Sequence, residues 1–100
     1  MQLQEAPRKG SLHRPTKATT AKHLEWFCTK APRGEWCLYW TGFLWCDREL
    51  EPLTDAEDRR RAAANALGAL AWTHYRSGSV LLVQRRIGHG RYEYFAVKRR

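Results

Sequence analysis

The strongest constraint on this chain is one well-bracketed helix that leads into a pair of strand-like runs. Thr54-Asp55-Ala56-Glu57 is a capping box, with Thr54 placed to accept from the amide of Glu57 and Glu57 placed to reach back. Asp55, Glu57 and Asp58 put negative charge in the first turn, where the helix dipole favours it. Ala63, Leu67, Leu70, Ala71 and His74 then fall at spacings of 4, 3, 1 and 3, one face of a helix. Arg76 sits in the last turn and Gly78 supplies a left-handed stop, so a helix is predicted over 55–77.

The two runs after it alternate as strands do. Leu81 and Val83 share one face of 80–87, with Val80 and Leu82 opposite. In 91–99, Phe95 and Val97 oppose Tyr92, Tyr94 and Ala96. The strand bases are apolar and become polar toward Gly88, His89 and Gly90, as in a hairpin rooted in a core with its tip in water.

Ahead of the helix, residues 24–46 hold seven of the twelve Phe, Trp and Tyr residues, so most of the aromatic surface is concentrated there. LEWFCT, EWCLYW and FLWC are short aromatic runs separated by KAPRG and by Thr41-Gly42, a pattern that predicts a three-stranded meander. Trp26, Trp36, Leu38 and Trp40 alternate with Phe27, Cys37 and Tyr39, which makes both faces apolar. Either another layer covers each face or one aromatic face is a contact surface.

The fold class expected is therefore α+β: an aromatic-rich meander, one long helix and a C-terminal basic β-hairpin. A winged helix is the alternative. It requires a further helix before residue 54, and GFLWCDREL at 42–50 is short and aromatic for that role. Residues 1–22 combine Pro7, Gly10 and Pro15 with five basic groups and no apolar period, and read as a flexible basic arm. Residues 23–100 read as one domain. With 43% apolar residues, most of the chain should fold.

The net charge is +8, and its placement is more informative than its size. Residues 1–30 hold six basic and two acidic groups, residues 80–100 six and one, and the middle six against seven. A basic excess at both ends suits a polyanionic partner. The amino terminus has no apolar run and no segment reaches the ~20 apolar residues a bilayer requires, so a cytoplasmic protein without a membrane partner is expected.

Cation placement defines the candidate contact. Arg85, Arg86, His89 and Arg91 gather at the hairpin tip, Lys98, Arg99 and Arg100 end the same ribbon, and arginine offers paired donors to phosphate or a guanine edge. Under the winged-helix alternative, Arg59, Arg60 and Arg61 stand near the start of a recognition helix.

Cys28, Cys37 and Cys46 recur every nine residues without any CxxC, which fits reduced thiols, one per meander strand, rather than a metal site. No nucleophile elbow, P-loop or HExxH occurs, so neither catalysis nor a cofactor is expected.

The segments APRGEWCLYWTGFLWCDRE (31–49) and SGSVLLVQRRIGHGRYEYFAVKRR (77–100) resemble small uncharacterised accessory proteins of bacteriophages and prophages. The resemblance implies a bacterial host cytoplasm and a task in gene regulation, DNA handling or interference with a host protein. It transfers no functional residue. Two readings compete. The first is a non-enzymatic protein binding nucleic acid, DNA before RNA, through the basic hairpin and tail. The second is an inhibitor seated on an acidic host protein surface or defence complex, such as an anti-CRISPR, through Trp36, Tyr39, Trp40 and Trp45. Oligomeric state is not encoded in any of these features.

Overall fold

The computed structural model describes residues 15–49 and 51–99. In chain order the elements are β1 (Thr16–Lys17), α1 (Ala21–Lys30), β2 (Trp36–Gly42), α2 (Leu44–Glu49), α3 (Asp55–Arg76), β3 (Val80–Gly88) and β4 (Arg91–Lys98). The strands form one mixed sheet in the order β1-β2-β4-β3. β1 runs parallel to β2, and the other neighbours are antiparallel. The protein is thus α+β, but the meander is not formed: of its three segments only EWCLYW supplies a strand.

LEWFCT is helical because its apolar residues repeat with a helical period. Leu24, Phe27 and Cys28 are the buried positions of α1, and Ala31 continues their face just beyond it. Thr20 caps the helix by accepting from the amide of His23 at 3.2 Å, and Lys30 occupies the last turn. FLWC likewise leaves the sheet. Thr41 and Gly42 end β2 instead of closing a hairpin, and the chain turns into α2. Leu44 N donates to the Tyr94 hydroxyl at 3.0 Å, which pins the start of α2 to the sheet. This tertiary anchoring overrides the local aromatic preference for strands.

The expected arm boundary at residue 22 falls inside α1. Ala18 is buried and its amide donates to Leu38 O at 3.0 Å, so residues 16–22 belong to the fold. The remainder of that arm, 1–14, lies outside the described residues.

Thr54 caps α3 by accepting from Glu57 N at 3.0 Å, while Glu57 Oε1 accepts from Leu53 N at 2.8 Å, one residue before the position a capping box uses. Ser77 closes the helix and Gly78 follows at φ 85°. The buried face is Ala64, Leu67, Gly68 and Ala71; Ala63 and Leu70 lie half-buried at its margin. The Arg48 side chain of α2 lies across Gly68, where a methyl would stand 3.2 Å from Arg48 Nη1. Arg48 Nε donates across to Asn65 Oδ1 at 3.1 Å.

The helices cover one face of the sheet. Phe27 and Leu24 from α1, Leu67 from α3, and Cys37, Tyr39, Val80 and Ala96 from the strands form the core. Full burial of a side chain such as Phe27 contributes about 1.5–3 kcal/mol. On the far face Trp36 meets Phe95 edge-on at 5.4 Å and the Arg85 guanidinium lies over the same ring, and Phe95 is buried. At the far end of α3, His74 hydrogen-bonds Glu25 of α1 at 2.8 Å.

Candidate functional site

The β3–β4 hairpin carries four exposed basic side chains, Arg85, Arg86, His89 and Arg91. Its register pairs Arg85 with Glu93, Arg86 with Tyr92 and Gly88 with Arg91, with an irregularity between Arg86 and Gly88. Gly90 turns the chain at φ 67°, a left-handed conformation that a side chain disfavours. Paired residues share a sheet face, so the two neighbouring arginines of β3 point opposite ways.

That alternation gives them different fates. Arg85 is ion-paired with Glu93, and its guanidinium lies 5.5 Å from the Phe95 ring centroid on the face away from the helices. Arg86 is exposed, with Nε donating to Gly88 O at 3.2 Å. His89 and Arg91 are also exposed. Positions 86–91 (RIGHGR) therefore present two guanidiniums and an imidazole with no carboxylate among them.

The other cations are distributed differently from the sequence expectation. Lys98 is only 7% exposed, and Arg99 is exposed at the opposite end of β4. Eight strand residues at ~3.3 Å each separate Arg99 from Arg91 by roughly 26 Å, so tail and tip do not make one site. Arg100 lies outside the described residues.

Near the start of α3, Arg60 and Arg61 are engaged within the fold. Arg60 Nη2 donates to Thr41 O at 2.9 Å and to Asp47 Oδ2 at 3.0 Å, and Arg61 Nε donates to Arg48 O at 3.3 Å. Arg59 is exposed, beside Asp55, Glu57 and Asp58. Thr41 pairs with Glu93, and Gly42 with Tyr92, so the start of α3 and the hairpin tip lie at the same end of the sheet.

The aromatic surface expected around Trp36, Tyr39, Trp40 and Trp45 is not formed. Tyr39 and Trp40 are buried, Trp36 is half-buried against Phe95, and Trp45 alone is exposed, at 70%. The other two exposed tryptophans, Trp26 and Trp72, lie on α1 and α3. A groove of about 520 Å³ does open between α2 and the hairpin, with Phe43, Leu44 and Trp45 on one side and Gln84, Tyr92 and Tyr94 on the other. Of these six, the sequence singles out Trp45 as a contact and sets Tyr92 and Tyr94 beside the basic tip, but does not join the two groups. No periodic pattern links positions 43–45 to position 92, and only the β2–β4 register brings them together.

The cysteines lie on α1, β2 and α2, not one per strand of a meander. Burial pushes the Cys28 thiol up to about 11 and the Cys37 thiol up to about 12. Among the described residues no three His, Cys, Asp or Glu side chains converge as a metal site, and no helix is long and apolar enough to cross a membrane. No family model, curated protein or solved structure matches the chain.

Proposed function

We propose that this chain is a small nucleic-acid-binding protein, for DNA before RNA, in which α1, α2, α3 and the β3–β4 hairpin act as a winged helix. The element order α1-β2-α2-α3-β3-β4 and the sheet order β2-β4-β3 support that arrangement. α2 supplies the helix for which the stretch at 42–50 is short and aromatic.

The observation that carries the reading is the tip itself: Arg86, His89 and Arg91 stand exposed with no acidic neighbour between positions 86 and 91. Phosphate oxygens are the natural partners of such donors. α3 contributes less, because two of its three arginines are engaged and its first turn is acidic. The wing, not the helix, makes the main contact.

The test is binding of duplex and single-stranded oligonucleotides across a salt series. Affinity for duplex should fall linearly on a log–log plot, and Arg86→Gln with Arg91→Gln should make the slope shallower by about two units while leaving the melt unchanged. Absence of salt-dependent binding to any nucleic acid overturns the reading. It would then favour an acidic protein partner, for which the exposed Trp26, Trp45 and Trp72 are the anchors to test.

A further inference from the structure

We infer that the groove between α2 and the hairpin takes an unstacked nucleobase, so that the ligand class is nucleic acid with unpaired nucleotides. This rests on the reading that the hairpin tip binds phosphate. The groove is a chain of tilted rings. Phe43 and Tyr92 have centroids 5.9 Å apart, and Tyr92 and Tyr94 are 6.2 Å apart. Trp45 lines the groove and is 70% exposed, and Phe43 is 42% exposed. Packing explains Tyr94, which is buried and bonded to Leu44 N, but leaves Trp45 largely and Phe43 partly in water. The volume, about 520 Å³, is that of a small-ligand cleft.

The chemistry bordering the rings selects the occupant. Arg86 is the cross-strand partner of Tyr92 and leaves the same sheet face on the tip side, where its Nε donates to Gly88 O, so a cation borders the groove without lining it. Gln84, one pair further in and opposite Tyr94, adds an exposed amide that both donates and accepts. Arg48, whose Nε donates to Asn65 of α3, and Glu49 complete the lining, so the α2 side carries a cation and a carboxylate together. A π-face whose tip side is bordered only by a cation orients a nucleotide: base among the rings, phosphate toward Arg86. Ring stacking of this kind tolerates any base. In an intact duplex the base faces are already covered by their neighbours, so only single-stranded, terminal or extruded nucleotides can enter.

The experiment compares three probes of equal length: an oligothymidine strand, the same sugar–phosphate backbone with abasic residues, and a duplex. Fluorescence anisotropy at fixed salt should show oligothymidine binding at least about fivefold tighter than the abasic strand. Trp45→Ala should remove most of that preference, leave abasic affinity and the salt slope unchanged, and leave the melt intact because the ring is exposed. Trp45→Phe should restore the preference. If abasic and base-bearing strands bind equally, with normal salt dependence, the groove is not a base site although the phosphate contact stands. If the preference exists but survives Trp45→Ala unchanged, the groove assignment is again overturned. If none of the three probes binds, both the groove and the phosphate reading fail.

Discussion

The guanidinium of Arg60 lies 4.5 Å from the ring centroid of Trp40, and both side chains donate to one carboxylate oxygen, Asp47 Oδ2, at 3.0 and 2.8 Å. Three elements meet in this contact: β2 supplies the ring, α2 the acceptor and α3 the cation. An arginine that sits where a recognition helix would read bases is here the joint that holds the helices to the sheet. Asp47→Ala is expected to destabilise the fold by about 1–3 kcal/mol, chiefly because the indole N–H of the buried Trp40 loses its partner. Arg60→Ala should cost less, since a half-exposed ion pair is worth ~1 kcal/mol or below. Urea unfolding of both variants checks this, and an Asp47→Ala midpoint equal to wild type refutes it.

Gly42 lies beneath the same joint. Its φ is 141°, and an added methyl would come within 2.6 Å of Arg60 Nη2 and Asp47 Oδ2. Gly42→Ala therefore combines backbone strain of about 1–3 kcal/mol with displacement of the ion pair. In a double-mutant cycle with Asp47→Ala the two costs should be less than additive, because the crowded acceptor is then absent. Additive costs would mean that the strain lies wholly in the backbone.

The helix starts give a milder pair of effects. Thr20→Ala and Thr54→Ala should each cost ~1 kcal/mol, since each removes the acceptor of an otherwise orphan amide. Glu57→Ala should cost less than Thr54→Ala, because its carboxylate serves the exposed Leu53 amide. A thermal melt unmoved by Thr20→Ala would place the start of α1 elsewhere.

How far such features are legible in the sequence depends on whether their signal is local. The expected helix at 55–77 meets Asp55–Arg76, and the 80–99 hairpin meets β3 and β4, because cap, stop and alternation are all written within a few residues. α1 is legible in principle: Thr20 before Leu24, Phe27, Cys28 and Ala31 is a cap and a helical face, masked when aromatic residues are counted as strand formers. α2 is not. Six residues have no period to read, and their helix is fixed by Tyr94, fifty positions away, and by Arg60. The candidate site divides the same way. Clustering at the tip is visible in the sequence, whereas the separate fates of Arg85 and Arg86 depend on which face Glu93 occupies.

The thiols make a pH-dependent prediction. Burial raises Cys28 and Cys37 to about 11 and 12, above the value near 8.5 of an unfolded cysteine. Tyr39 is raised above its ordinary range by the same cause. A raised acid binds its proton more tightly in the folded state, so its stabilising share is complete below about pH 8.5. It is then lost progressively as pH climbs toward 11 and 12. The melting temperature should fall through that window, less steeply in Cys37→Ala than in wild type. At pH 8 the half-buried Cys46 should take up a thiol reagent well before the buried pair. Equal labelling rates for all three would contradict the burial on which both expectations stand.

The sharpest prediction concerns Glu93. Its carboxylate pairs with Arg85 on one face of the hairpin, while Arg86, the next residue, stands on the other with no carboxylate partner among the described residues. Under the proposed phosphate contact the two arginines should therefore behave differently. Arg86→Gln should weaken binding to every oligonucleotide and flatten the log–log salt slope by about 0.9. Arg85→Gln should change the slope little, because Arg85 already has its counter-charge. Glu93→Gln removes that counter-charge while keeping a hydrogen-bonding side chain of similar shape. It should raise affinity and steepen the slope by up to about one unit, as Arg85 is released to phosphate. Anisotropy titrations at four salt concentrations separate these cases. If Glu93→Gln weakens binding, or if Arg85→Gln flattens the slope as much as Arg86→Gln does, the Glu93 ion pair does not withhold Arg85 from phosphate.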